Sequence, residues 1–269
     1  MDERQRLAGK TAVVTGTSPN IGGAFALGLA AAGAKVVCTD IDPQVAQKCA
    51  DSITGSGGQA VAVAGDVTDP EHAREAIARA MELGGHVDVL VNNAVWFNQK
   101  GLLTMPVDEY RRQLDVILAG GFLFTRAAAE SMITTGTQGS IVNILSTAAW
   151  QGQPGNIGYS TAKSGMINFT RSAAMDLAEH GIRVNGLTPT ATAPDDPEEH
   201  ARKAAAAGTS GPSMDFTGQF PWKRLPTTRD YVPALVFLAS DDAAMITGSN
   251  ITVDGGATAK YWPWRPGLQ

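Results

Sequence analysis

Short apolar runs alternate with longer amphipathic or alanine-rich segments along most of the chain. The runs are rich in β-branched residues and end in glycine or a polar residue, which is typical of buried strands. We predict strands at 11–15, 35–40, 60–64, 87–91, 139–145, 182–188 and 250–253. We predict helices near 21–32, 43–54, 70–83, 106–134, 157–180 and 229–239. This alternation predicts an α/β fold in which a doubly wound, mostly parallel seven-stranded sheet carries helices on both faces. We expect a single domain over residues 1–269.

Five polar side chains fall at or just after the ends of predicted strands. They are Thr15, Asp40, Asp66, Asn92 and Ser146. Ligands of open parallel sheets bind beyond the carboxyl ends of the strands, where the strand order reverses. We therefore expect these side chains to gather along one edge of the sheet.

The first predicted strand leads into a glycine-bearing turn and then an alanine-rich helix. Gly16 allows a tight turn, Gly22 lets the backbone approach a pyrophosphate, and the helix N-terminus faces the anion. The second strand ends in Asp40, about 20 residues beyond the glycines, where an acidic residue binds the ribose hydroxyls of NAD. The alternative is an ordinary strand–turn–helix unit with no ligand.

The run YSTAK places Tyr159 and Lys163 four residues apart, on one face of a helix. A free tyrosine has a pKa of about 10, and a nearby lysine cation favours the phenolate. The lysine would thus make the tyrosine usable as an acid–base group, and the Ser146 hydroxyl could hold a substrate oxygen nearby. Taken alone, the pair could equally be a surface contact.

Taken together, these residues resemble the short-chain dehydrogenase/reductase family, whose fold is of the Rossmann type. The matching segments run in order through nearly the whole chain: TGTSPNIG (15–22), Asp40, GDVTD (65–69), NNA (92–94), Ser146, YSTAK (159–163), IRVNGLTP (182–189) and VDGG (253–256). The resemblance implies that Ser146, Tyr159 and Lys163 are catalytic and that Lys163 also binds the nicotinamide ribose. The cofactor-binding residues that we expect are Gly16, Ser18, Asn20, Ile21, Gly22, Asp40, Ile41, Asp66, Val67, Asn93, Ala94, Tyr159, Lys163, Pro189, Thr190 and Thr192.

Four positions depart from the family pattern. Asn20 replaces the second glycine of the cofactor loop, and we expect it to adopt positive φ, which asparagine tolerates. Val95 replaces a glycine that is common after NNA. Thr190 replaces a glycine that is common after Pro189, so the loop that follows Pro189 should be stiffer. Ile117 replaces a common asparagine that helps hold a water molecule next to the lysine, so any proton relay must take another route.

Composition narrows the class of protein. The chain has 269 residues and a formal net charge of −5, and it shows no basic patch, so we do not expect nucleic-acid binding. Cys38 and Cys49 fall in a predicted strand and helix, which favours buried thiols in a reducing compartment. The sequence shows no signal peptide and no long apolar run, so we expect a cytoplasmic protein without membrane contact. We expect no metal site.

Two segments interrupt the alternation. Residues 191–226 are either a variable surface loop or, as the resemblance implies, a lid that closes over the substrate. The C-terminal segment 257–269 is rich in aromatic residues, and either packs on a neighbouring subunit of a homo-oligomer, a tetramer or dimer, or folds back on its own surface. We expect the substrate pocket to be lined by Trp96, Trp150, Met214 and Trp222.

These features predict an NAD-dependent oxidoreductase that transfers a hydride between NAD and a secondary alcohol or ketone. An aromatic lining favours a hydrophobic or cyclic small-molecule substrate. Two alternatives stay open: an NAD-binding regulatory or scaffold protein with weak catalysis, favoured by Ile117 and Thr190, and a reductase of carrier- or coenzyme A-linked 3-oxoacyl groups.

Overall fold

A parallel sheet of seven strands forms the centre of the molecule in the computed structural model, which describes residues 5–193 and 220–260. The strands are β1 (Thr11–Thr15), β2 (Lys35–Asp40), β3 (Gln59–Ala64), β4 (Val89–Asn92), β5 (Ser140–Ile144), β6 (Arg183–Thr188) and β7 (Asn250–Thr252). The helices are α1 (Ile21–Ala31), α2 (Pro43–Gly55), α3 (Pro70–Gly84), α4 (Val107–Leu114), α5 (Gly120–Thr135), α6 (Ile157–Leu177) and α7 (Thr228–Ala239).

The strand order confirms the predicted doubly wound sheet. It runs β3-β2-β1-β4-β5-β6-β7, so the direction of winding reverses between β1 and β4. The parallel register pairs Thr15 with Thr39 and Asn92 with Asn143, which aligns the carboxyl ends of the central strands. A crevice at such a reversal is where ligands of this architecture bind.

Apolar residues cover both faces of the sheet, because strands buried on two sides cannot alternate with polar residues. On one face, helices α1 and α7 contribute Phe25 and Leu235 to a continuous core. On the other face, α3 and α5 contribute Ile77 and Phe124. The sheet edge that carries the site is therefore held between two packed layers.

Two of the crossover helices begin with the same local signal. Asp42 and Asp69 each precede a proline at the first helical position, and each carboxylate accepts a hydrogen bond from the backbone N–H two residues on, at 2.8 Å and 2.9 Å. These bonds satisfy helix N–H groups that have no intrahelical partner. They fix where the chain turns away from the ends of β2 and β3.

The helical run from Val107 to Thr135 differs from the single helix that the sequence predicts. Residues Asp115–Ala119 form a π-helical segment between α4 and α5. Such an insertion cannot be read from a 3.6-residue pattern, and π-bulges often mark functional sites. The run is long and apolar enough to cross a membrane by length and composition, but half of its most apolar window is buried inside the fold.

Candidate active site

A cleft of about 340 Å³ opens along the carboxyl ends of the strands, at the reversal between β1 and β4. It brings together most of the residues that the sequence predicts. The predicted residues that line it are Gly16, Ser18, Asn20, Ile21, Gly22, Asp40, Ile41, Asp66, Val67, Asn93, Ala94, Trp96, Ser146, Tyr159, Lys163, Pro189 and Thr190.

The turn after β1 approaches the segment after β4 so closely that side chains are excluded. Gly16 has φ +70°, and a Cβ added there would lie 2.8 Å from Ala94 Cα. The Nδ2 of Asn93 donates to the carbonyls of Thr15 at 3.0 Å and Gly16 at 2.7 Å. A Cβ at Gly22 would overlap the Gly16 carbonyl oxygen. The loop is thereby held at the N-terminus of α1.

Asn20 does not adopt the positive φ that we expected from the sequence. Its backbone has φ −150°, and its N–H donates to the Ser18 carbonyl at 2.6 Å. Positive φ, the main reason to require a glycine, is therefore absent at this position. The Asn20 side chain makes no capping bond, and although the Gly23 N–H donates to the Ser18 carbonyl at 2.9 Å, the N–H groups of Ile21 and Gly22 stay available to an anion.

Asp40 stands at the end of β2 in the wall of the cleft. One of its oxygens, Oδ1, accepts the Asp42 N–H at 3.1 Å. In the described ranges 5–193 and 220–260, its second oxygen has no protein partner. The charged residues that line the cleft are Asp40, Asp66, Arg112 and Lys163.

Arg112 is a cleft residue that the sequence reasoning missed. Its Nη2 lies 2.5 Å from Asp66 Oδ2, and its Nη1 donates to Thr68 Oγ1 at 3.2 Å. Burial acts to raise the pKa of Asp66, but the hydrogen bonds from Thr68 and Arg112 outweigh it and lower that pKa. No motif marks Arg112 in the sequence, because its role depends on α4 lying against the loop after β3.

Ser146 and Tyr159 meet at the end of β5. Ser146 precedes the short 3₁₀ turn Thr147–Ala149, and its Oγ accepts the Ala148 N–H at 3.2 Å. Since that bond uses a lone pair, the hydroxyl proton stays free to be donated. Burial raises the pKa of Tyr159, and a hydrogen bond with Ser146 offsets part of that rise.

Lys163 lies one helical turn beyond Tyr159 and is 2% exposed. Its Nζ lies 5.7 Å from the centre of the Tyr159 ring and donates to the Ile144 carbonyl at 2.5 Å. Burial lowers the pKa of Lys163 to about 7. The sequence predicted that the lysine would lower the pKa of Tyr159; in this structure burial of the phenol prevails and that pKa is raised.

The loop after β6 is tied to the segment that follows Ser146. The Thr147 N–H donates to the Pro189 carbonyl at 3.1 Å, and the hydroxyls of Thr147 and Thr190 lie 3.1 Å apart. Thr192 does not line the cleft; its hydroxyl donates to the Thr190 carbonyl and pairs with the Tyr231 hydroxyl, both at 2.8 Å. The stiffness that we expect where Thr190 replaces a glycine stays a prediction, and these bonds would contribute to it.

Ile117 lies within the π-helical segment and is 4% exposed. It packs in a small apolar cluster with Leu145, Ala162 and Met166. An asparagine in this place would project an amide among these side chains. The isoleucine instead completes the packing under α6.

The predicted aromatic lining is present in part. Trp96 lines the cleft, and Phe97, which we did not single out, packs edge-on against Tyr159 with 5.1 Å between ring centres. Trp150 and Trp222 are 42% and 69% exposed and are not among the described residues that line the cleft. Met214 lies outside the described residues, as do residues 194–219 of the predicted lid and 261–269 of the aromatic tail.

A glycine turn at the N-terminus of α1, the carboxylate of Asp40 and a Ser–Tyr–Lys set lie along one sheet edge, an arrangement typical of a nicotinamide-dependent oxidoreductase. The family model described as Enoyl-(Acyl carrier protein) reductase matches residues 16–258. The chain belongs to the short-chain dehydrogenase/reductase family, and it is an oxidoreductase that acts on CH–OH groups. Enzymes of this family use NAD or NADP.

Similar proteins cover almost the whole chain. The L-rhamnose 1-dehydrogenase (NAD(P)(+)) of a Sphingomonas species is 38% identical, over 93% of this chain and 96% of its own. The trans-4-hydroxycyclohexanecarboxylate dehydrogenase of Sinomonas cyclohexanicum is 36% identical, over 94% of this chain and 95% of its own. A solved structure of NAD⁺-bound xylitol dehydrogenase superposes with a TM-score of 0.83 at 29% identity, over 93% of this chain and 99% of that one.

Proposed function

We propose that this protein is an NAD-dependent dehydrogenase or reductase that interconverts a hydrophobic or cyclic secondary alcohol and its ketone. The observation that carries the proposal is the juxtaposition of Ser146, Tyr159 and buried Lys163 at the cleft. A phenol, a hydroxyl with a free proton and an ammonium group are the side chains that such a reaction needs.

The residues present fit a dinucleotide. The open N-terminus of α1 suits the pyrophosphate, and the free oxygen of Asp40 suits the ribose hydroxyls. Arg112 is already paired with Asp66, so in the described part of the cleft no unpaired guanidinium stands beside Asp40 to receive a 2′-phosphate. These features support NAD over NADP.

The protein's own groups handle the proton and hold the substrate. When bound, NAD supplies the hydride acceptor, and its reduced form supplies the hydride donor. Ser146 Oγ–H donates a hydrogen bond to the substrate oxygen. Tyr159 takes the hydroxyl proton of the alcohol during oxidation and returns a proton to the carbonyl oxygen during reduction. Lys163 provides a positive charge beside the phenol.

Burial explains why these three groups must act together. A buried phenol with a raised pKa gives up its proton only if the resulting phenolate is stabilised. The Lys163 cation provides this stabilisation, the Ser146 hydroxyl holds the substrate oxygen next to the phenol, and a water-free site strengthens both interactions.

Two aromatic rings, one in the cleft wall and one packed on Tyr159, favour an apolar substrate. Trp96 lines the cleft, and Phe97 packs on Tyr159. The name of one relative, for a hydroxycyclohexanecarboxylate, supports a ring-bearing alcohol. Cyclic alcohols are therefore the first substrates to test.

A panel of secondary alcohols tests the proposal. Purified protein is mixed with NAD and with a cyclohexanol derivative, an aryl-bearing alcohol, an open-chain alcohol or a sugar, and the absorbance of the reduced cofactor is followed. We expect the highest kcat/KM for a cyclic or aryl-bearing alcohol. Turnover limited to sugars and open-chain polyols would contradict the substrate class, and no turnover in either direction would contradict catalysis.

A further inference from the structure

Helix α4 buries one side chain, and that side chain is polar. Gln113 is 0% exposed and is the buried residue of Val107–Leu114. Its Oε1 has no hydrogen-bond partner within the described residues. An apolar residue of similar length would be buried at a lower cost in free energy, because a buried amide needs partners for both of its polar atoms. Stability of the fold therefore does not explain a glutamine in this position.

The amide of Gln113 lies between the sequence neighbours of two packed aromatic residues. Its Nε2 donates to Oδ1 of Asn98, which follows Phe97. Its Cδ and Oε1 lie against Gly158, which precedes Tyr159, since a Cβ added at that glycine would be 2.9 Å from each of these atoms. The Phe97 and Tyr159 rings meet edge to face, with 5.1 Å between their centres and 77° between their planes. Gln113 thus bridges the two segments that carry the rings.

An ion pair holds the Asn98 amide in one orientation. Lys100 Nζ lies 2.8 Å from Oε1 and 2.6 Å from Oε2 of Glu109, and Glu109 Oε2 accepts a hydrogen bond from Asn98 Nδ2. A carboxylate that faces a lysine cation only accepts hydrogen bonds. The nitrogen of the Asn98 amide must therefore face Glu109, so its oxygen faces Gln113 and requires a donor there. The glutamine amide provides this donor.

The segment that carries Phe97 has few other anchors. Residues 95–99 lie in no helix or strand, and the Trp96 and Phe97 side chains are 37% and 46% exposed. One isolated bridge pairs Lys100 with Asn156 at the start of α6. The position of the two rings therefore depends mainly on the side-chain contacts described above.

We propose that Gln113 is a positioning residue that determines substrate specificity: through Asn98 it holds the Phe97 ring on Tyr159, so that the ring forms a fixed apolar wall beside the phenol. A fixed wall favours alcohols that bury apolar ring surface against it, because little conformational entropy is then lost when the substrate binds. The specificity rests on the proposed function, whereas the position of the ring does not.

The position of the Phe97 ring can be measured without a substrate. In protein labelled with fluorophenylalanine, the ¹⁹F resonance of Phe97 is assigned by its loss in Phe97→Leu, and we expect it to be displaced by the ring current of Tyr159. Gln113→Met keeps the length and the burial of the side chain but removes the donor. We expect the resonance in this variant to move toward that of free fluorophenylalanine. An unchanged resonance would overturn the proposal, whether or not the protein turns over alcohols.

Asn98→Leu removes the same hydrogen bond from its other side. Asn98 is half-buried, so this variant decides even if Gln113→Met does not fold. We expect the Phe97 resonance to move in the same direction as in Gln113→Met. A wild-type resonance in Asn98→Leu would show that this bond does not hold the ring, and the proposal would be wrong.

Ser140→Ala is the matched control. Ser140 is 1% exposed at the amino end of β5, and its Oγ donates to the Leu238 carbonyl at 2.8 Å. The variant also loses one buried hydrogen bond, but at the end of the sheet opposite to the cleft, so we expect a wild-type Phe97 resonance. If Ser140→Ala moves this resonance as much as Gln113→Met does, Gln113 acts only through general stability and the proposal fails.

Initial rates with two alcohols test the specificity. Cyclohexanol buries a ring against the wall, whereas propan-2-ol offers little apolar surface to it. We expect Gln113→Met to lower kcat/KM for cyclohexanol by at least about tenfold, as for the loss of one apolar contact in a pocket, and to change kcat/KM for propan-2-ol and KM for NAD by less than about threefold. Equal losses for both alcohols would overturn the assignment of specificity. If the wild type converts neither alcohol, the proposed function fails, and the ¹⁹F resonance alone decides whether Gln113 positions the ring.

Discussion

Asp66 and Arg112 form an ion pair in the wall of the cleft, with 2.5 Å between Oδ2 and Nη2. The loop after β3 carries the carboxylate, and helix α4 carries the guanidinium. The pair is partly exposed, so it contributes about 0.2–1 kcal/mol to folding at most. Its main effect is to hold the Asp66 carboxylate in the cofactor cleft.

Arg112→Leu should therefore weaken cofactor binding more than it weakens the fold. We expect a several-fold higher KM for NAD and a loss of at most about 1 kcal/mol in the free energy of unfolding. Arg111→Leu is the matched control, since Arg111 is the exposed neighbour on α4 and does not line the cleft. Initial rates at varied NAD concentration give the KM, and denaturant unfolding gives the free energy of unfolding. Equal KM values for the two variants would contradict a role of Arg112 in the site.

Asp40 should set the cofactor preference. A 2′-phosphate placed against this carboxylate meets a like charge, which costs several kcal/mol, so we expect kcat/KM for NAD to exceed that for NADP by about 100-fold or more. Asp40→Asn removes the repulsion and should reduce the ratio by at least about tenfold. Asp42→Asn is the control, since it removes a neighbouring charge outside the cleft and should leave the ratio of the two kcat/KM values unchanged. If Asp40→Asn also left this ratio unchanged, Asp40 would not set the cofactor preference.

Tyr159→Phe removes the acid–base hydroxyl and keeps the ring that packs on Phe97. We expect kcat to fall by at least about 100-fold, because general acid–base catalysis contributes that much or more. The affinity for NAD should change little, and Tyr110→Phe on α4 should behave as wild type. Steady-state rates and NAD titration test this, and a fully active Tyr159→Phe would remove the catalytic assignment.

Ile117→Asn tests whether the residue common in the family would improve this enzyme. We expect kcat to change by less than about tenfold, because a small cavity of about 10 Å³, lined by Ile117 and Lys163, already offers a place for water next to the lysine. The free energy of unfolding should fall by about 1–3 kcal/mol, because an amide would enter the cluster of Leu145 and Met166. Ile117→Val gives the apolar control; a sharp rise in kcat in the asparagine variant alone would favour the weak-catalyst alternative.

The burial of Lys163 predicts a pH dependence of stability. Its pKa falls from 10.5 to about 7 on folding, so between these values the unfolded chain binds more protons, and the free energy of unfolding rises with pH. Lys163→Met should flatten this rise. The variant should also be more stable than wild type at pH 7 but lose turnover. Unfolding curves of both proteins from pH 7 to 10.5 provide the test, and the same pH dependence in both would show that folding does not lower the pKa of Lys163.

The sequence predicts the bounds of the strands to within two residues, because β-branched runs and helix-start signals act locally. It also predicts most of the residues that line the cleft. It does not predict the π-helical segment, which follows from how α4 and α5 pack on the sheet. Arg112 and Phe97 are missed for a similar reason: each meets its partner only in three dimensions. The expected positive φ of Asn20 is wrong, because a sequence position shared with glycine does not fix the backbone angle.

The hydrogen bonds of the Asn92 side chain are equally beyond the reach of sequence: its Nδ2 donates to Thr125 and Asn143, whereas its buried Oδ1 has no partner within the described residues. The sequence marks this residue as the start of NNA at a strand end, but which of its amide atoms is left over depends on Thr125, Asn143 and Thr170, on three other elements. Burial of Lys163 likewise depends on β5 and the π-helical segment. Residue type and spacing indicate that Lys163 takes part in the site, whereas the packing around it sets its pKa.

The bonds between Thr147 and the loop after β6 have a kinetic consequence. The segment that would cover the nicotinamide is fastened directly beside the residue that holds the substrate oxygen. If this loop opens when the cofactor enters or leaves, the Thr147–Pro189 and Thr147–Thr190 contacts break and the segment that follows Ser146 is released with them. Exchange of the cofactor and ordering of the substrate site would then be coupled through the same two contacts.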